Sequence, residues 1–162
     1  MADNVNKKIH NINFDDGFQE VSINSDTARM IRWNPNDVNF VDRFIDFQQW
    51  VETEFRKKIA DLGITKSKSF DDYESGTLTA LGEEVNQALN KCFGSDVATP
   101  AFGGINPISP VRNGNLLFIN FLEALFPMIE NSIKDYDKAR EKYTKAAKKV
   151  APSATHPAFK KP

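Results

Sequence analysis

Apolar and polar residues first alternate in QEVSIN, where Val21 and Ile23 stand between polar neighbours. ARMIRW repeats the pattern less cleanly, through Ala28 or Met30 and through Ile31 and Trp33, after the turn-forming run Asn24-Ser25-Asp26-Thr27. Together they predict a β-hairpin over residues 18–33. Two strands alone are marginal in water, so the hairpin must lie on a helix or join strands of another copy. Asn34-Pro35-Asn36-Asp37 then reads as a helix entry, with an Asx cap, a proline whose missing N–H is harmless, and an acid in the first turn.

From there the apolar period changes to three and four. Phe40, Phe44, Phe47, Val51, Phe55, Ile59 and Leu62 predict a helix over 37–62, which Gly63 closes. The polar stretch ITKSKSFDDYESG reads as a linker. Leu78, Leu81, Val85, Leu89 and Cys92 or Phe93 then mark a weaker helix over 77–93, in spite of Gly82 in its interior. The next 23 residues, FGSDVATPAFGGINPISPVRNGN, carry four glycines and three prolines and predict a loop with a turn near Thr99-Pro100-Ala101-Phe102. A last helix starts near Asn113 or Asn115 and runs to Lys149 or Val150. Its first half is apolar nearly all round, its second half keeps a thin stripe, and Pro127 predicts a kink between them.

The fold class this predicts is mainly α: a small N-terminal β-hairpin packed on a helical domain with a long kinked C-terminal helix. Residues 1–13 read as a flexible arm, 14–150 as one domain and 151–162 as a disordered basic tail. The apolar run from Leu116 to Ile129 contains Glu123 and is too short to cross a membrane, which takes about 20 residues. An all-round apolar helix among so few elements has surface left over, so self-association around Leu117, Phe121 and Leu125 is expected.

Composition sharpens the picture in two places. Thirteen phenylalanines against three tyrosines call for a dry core or an apolar interface. The net charge of −1 hides an acidic body and a basic end, because residues 134–162 hold nine Lys or Arg against three Asp or Glu, leaving 12 against 19 for residues 1–133. A solvated helix accounts for the basic end, and no nucleic-acid module signature accompanies it.

Candidate chemistry is sparse. His10, His156 and the lone Cys92 offer no metal-ligand spacing, and adjacent acids such as Asp71-Asp72 and Glu83-Glu84 do not face each other on a helix. Phe102-Gly103-Gly104 lacks the later glycine of a dinucleotide fingerprint. These residues point to no enzyme and no cofactor. The single cysteine and the absence of a signal-peptide run point to a cytosolic protein.

The order of parts resembles that of phage tail assembly chaperones, small proteins encoded just before the tape-measure protein in long-tailed phages of Gram-positive hosts. The resemblance rests on FQEVSINSDTARMIRWNP, NPNDVNFVDRFIDFQQWVE and LNKCFGSDVATPAFGGINPISPVRNGNLLFINFLEALFPMIENSI, with a helix ending in "FG", an "FGG" loop and a helix carrying "FLEAL". It covers residues 18–135. It implies a non-enzymatic protein of the host cytoplasm that binds the tape-measure protein and helps recruit tail-tube subunits. Such a partner needs apolar surface, for which Phe40, Phe44, Phe102, Leu117, Phe118, Phe121, Leu125 and Phe126 are the candidate residues. A structural component of the tail, or an inhibitor of host defence, remain open as other readings.

Overall fold

The structure, a computed structural model, describes residues 8–64 and 68–150; the expected basic tail at 151–162 and the first part of the arm lie outside the described residues. The fold class agrees with the expectation: a two-stranded antiparallel hairpin packs on a helical body with a long C-terminal helix. Strands β1 (Gln19–Ile23) and β2 (Asp26–Trp33) pair with Val21 opposite Ile31 and Gln19 opposite Trp33. The turn is tighter than the sequence suggested. Asn24 and Ser25 alone form it, both with positive φ, as a two-residue hairpin loop requires, and Asp26 and Thr27 join the strand.

The predicted 37–62 helix is one run of three pieces: α1 (Val38–Trp50), a π turn (Val51–Phe55) and α2 (Arg56–Leu62), closed by Gly63 in the left-handed region. Its N-cap is Asp37, which accepts from Asn39 N–H at 3.0 Å, and not Asn34, whose side chain instead closes an Asx turn onto Asn36. The π turn has a reason in the spacing. Phe47, Val51, Phe55 and Ile59 are separated by fours, and each such step rotates the apolar seam by ~40° on a helix of ~3.6 residues per turn. A turn that holds about one extra residue takes most of that drift back, so Ile59 returns to the face of Phe40 and both are buried. Thr53 Oγ donates to the Gln49 carbonyl at 2.7 Å within this stretch.

Helix α3 (Thr77–Phe93) follows the prediction, and its Gly82 is explained by what lies on it. A Cβ there would stand 2.3 Å from Asn106 Oδ1. Asn106 donates to the Leu78 carbonyl at 2.9 Å and accepts from Ile108 N–H, so the bare helix surface is the seat of the loop. The predicted turn at Thr99–Phe102 is a one-turn helix, α4 (Ala98–Phe102), ended by Gly103. Asn90 Oδ1 accepts from Val97 and Ala98 N–H, and Asp96 accepts from Thr99 N–H. The Thr99 hydroxyl and N–H hold the Asp96 carboxyl below the usual carboxylate range.

Two arginines complete the joinery. Arg29 of β2 donates to the Pro100 and Ala101 carbonyls at 2.7 and 2.6 Å, and Arg43 of α1 donates to the Cys92 carbonyl at 2.8 Å, so each places positive charge at the C-terminal end of a helix. Helix α5 (Leu117–Val150) starts later than predicted. Asn113 to Leu116 turn the chain, and the Ser109 and Pro107 carbonyls accept from Leu117 and Phe118 N–H, which caps the helix with main chain instead of an Asx residue. Pro127 lies within α5, where it cannot donate to the Glu123 carbonyl.

The core is apolar throughout its buried residues. Aromatic rings connect all layers: Trp33 on Phe40 and Phe93, Phe44 on Phe126, and Phe118 edge-on to Phe47 and Phe55 at 5.9 and 5.4 Å. Truncating Phe118, which is fully buried, to alanine is expected to cost about 3–5 kcal/mol of stability in a denaturant titration. Gly82→Ala, which at an ordinary helix position adds about 1 kcal/mol, is expected here to destabilise by ~1–2 kcal/mol because it evicts Asn106 from its two hydrogen bonds.

Candidate protein-binding surfaces

Helix α5 presents four sides. Phe118, Leu122, Leu125 and Ile129 form its buried seam. Leu117 and Phe121 lie half-buried on one flank, with Ala124 and Met128 exposed beside them, while Ile119, Phe126 and Ile133 lie half-buried on the other. Asn120, Glu123, Pro127 and Glu130 form the solvent ridge. The first flank has the positions 117, 121, 124 and 128, steps of four, three and four, which is the seam spacing of one helix packing along another. Beyond it the same register meets Asn131 and Asp135, and the apolar strip ends.

Of the eight residues that the sequence nominated for a partner, the structure buries Phe40, Phe44, Phe102, Phe118 and Leu125 in the chain's own core. Leu117, Phe121 and Phe126 remain half-buried, with Phe121 edge-on to Phe102 and Phe126 edge-on to Phe44. The two Phe-Gly motifs behave alike: Phe93 and Phe102 point inward, and Gly94 and Gly103 end their helices in the left-handed conformation, where a side chain would be strained.

Two open grooves flank this framework. One, of about 280 Å³, runs between α1 and α3 over Phe47, Trp50 and Ala88, with Asp46, Glu84 and Lys91 around it. Lys58 Nζ reaches Glu84 Oε2 at 2.6 Å and ties α2 to α3 at its edge. The other, of about 600 Å³, lies between α2 and the start of α5, over Phe55, Ile59, Ile64, Ile108, Leu116 and Ile119, with Arg56 and Ala60 in its lining. Sequence reasoning missed this groove. Its residues were legible as apolar, but they come from three segments that only the fold brings together.

Also missed was the character of the arm. Residues 8–18 carry no strand or helix, and Ile9, Ile12 and Phe14 are exposed. Asp15 and Asp16 accept from Gly17 and Phe18 N–H, Asn34 Nδ2 donates to the Asp16 carbonyl at 2.9 Å, and the Asp16 carboxylate meets Arg32 at 3.1 Å. The Arg32 guanidinium lies 4.2 Å from the centre of the Phe18 ring. The arm is therefore pinned at its base and unpacked before it. Three apolar residues within an otherwise polar stretch were the available signal.

Cys92 is buried between α1 and α3, and burial pushes its thiol up to about 12, with Arg43 opposing the shift. Among the described residues no group of three or more His, Cys, Asp or Glu is arranged to hold a metal ion, and no helix is long and apolar enough to cross a membrane. The folded chain keeps a proton that an unfolded Cys92 gives up near 9.0, so the stabilisation is complete below pH 9 and declines as pH climbs toward about 12. The stability difference between native protein and Cys92→Ala is expected to follow that slope in pH-dependent unfolding, and Cys92 is expected to resist a thiol-labelling reagent until the chain unfolds.

Comparison with protein-family models, with curated proteins and with solved structures returns no match for this chain.

Proposed function

We propose that this chain is a non-enzymatic phage tail assembly chaperone that binds the tape-measure protein and helps recruit tail-tube subunits. The observation that carries the reading is the strip Leu117, Phe121, Ala124 and Met128 on α5, half-buried at its first two positions and exposed at its last two, and set at the spacing with which helices pack along one another. It lies within the segment whose FG, FGG and FLEAL motifs resemble those of the family. The strip is short, about three turns, so it grips one apolar helical stretch of the partner at a time. The charged surface that follows on Lys134, Asp135, Asp137 and Lys138 keeps the complex in solution.

Ala124 and Met128 are exposed, so charges can be placed there without disturbing the core. Ala124→Asp and Met128→Asp are expected to weaken capture of the co-expressed tape-measure protein by roughly tenfold or more, about 1.4 kcal/mol or above, with the circular dichroism of the free chain unchanged. Failure of the native chain to retain the tape-measure protein, or equal retention by both variants, would overturn the reading.

A further inference from the structure

We infer that the groove between α2 and α5 receives the N-terminal arm of a second copy of this chain. Among the described residues the arm's apolar side chains find little to pack on: Ile9, Ile12 and Phe14 are 83%, 85% and 77% exposed. The groove is an apolar trough of about 600 Å³ over Ile59, Ile64, Leu116 and Ile119. Each feature lacks what the other has.

Reach makes the exchange intermolecular. The arm leaves the body at Asp16, which is fixed to Asn34 and Arg32 just before α1. The continuous helical run from Val38 to Ile59 is ~32 Å long at ~1.5 Å per residue. Fully extended, the chain from Asp16 back to Ile12 reaches ~14 Å and back to Ile9 ~25 Å. Phe55, where the groove begins, lies ~26 Å along that run, so Ile12 and Phe14 fall well short of their own groove and Ile9 at full stretch only meets its edge; a neighbour's arm is the one that seats all three.

Charge supports the same pairing. Arg56 on the groove has no ion-pair partner among the described residues, and Asp15, which directly follows Phe14, has none either. With on the order of 100 Å² of apolar surface on each of three side chains, two reciprocal arms and the grooves that receive them bury on the order of 1,200 Å², the lower bound of a specific interface. A closed two-fold exchange is the smallest assembly that leaves no arm unpaired.

The test needs no tape-measure protein, so its result is separate from that of the chaperone reading. In sedimentation velocity the native chain is expected to form dimers, and Ile12→Asp and Ala60→Glu, both at exposed positions, are each expected to raise the dimer Kd by roughly tenfold or more without changing the circular dichroism. An equimolar mixture of the two variants is expected to regain association, because one intact arm then meets one intact groove. In a chain carrying both Ile12→Cys and Ala60→Cys, with buried Cys92 silent, oxidation is expected to give a covalent dimer on a non-reducing gel. A native monomer, variants that dimerise like the native chain, or a cross-link confined to a single chain would each overturn the inference.

Discussion

The ring seam of α1 joins the hairpin, α3 and α5 into one core. Phe40, Phe44 and Phe47 leave the helix at steps of four and three: Phe40 meets Trp33 of the hairpin and Phe93 of α3, and Phe44 and Phe47 meet Phe126 and Phe118 of α5. A phenylalanine ring has no polar handle to satisfy, so the seam can be dry, and among the described residues no charged or polar residue is buried. This is why the chain uses so many phenylalanines and so few tyrosines. The cost falls elsewhere, since α5 must give one face to this seam and leave its flanks to be covered otherwise.

Main-chain polar groups are handled at the edges of that core. Arg29, Arg43, Asn90 and Asn106 each reach across to the backbone of another segment, and the carbonyls of Pro107 and Ser109 accept from the first N–H groups of α5. The glycine- and proline-rich segment is thereby an ordered strut and not a slack connection. It fixes where α5 begins, and with that the position of both the α5 strip and the neighbouring groove.

The sequence made the elements readable wherever one period ran without interruption. The hairpin, α3 and the Gly63 stop follow directly from alternation, three-and-four spacing and a left-handed cap. What escaped was cross-chain in origin. Gly82 looked like a weakness of α3 because Asn106, which occupies the space, is 24 residues further on. Asn34 looked like the cap because Asx turns and N-caps share the same residue types. The nominated partner residues were drawn from the most apolar positions, and those are the positions a fold buries first. The surface strip and groove are assembled from what remains, which no local pattern announces.

The π turn between α1 and α2 acts as a local correction of register. Removing one residue between Val51 and Phe55 would leave apolar steps of four, three, four, three, four and three from Phe40 to Leu62, the regular spacing of an uninterrupted helix. The π turn accommodates the additional residue locally, with Thr53 donating to the Gln49 carbonyl inside the bulge. A one-residue change in chain length is thereby confined to a single turn, and the contacts of Phe55 and Ile59 beyond it keep the face set by Phe40.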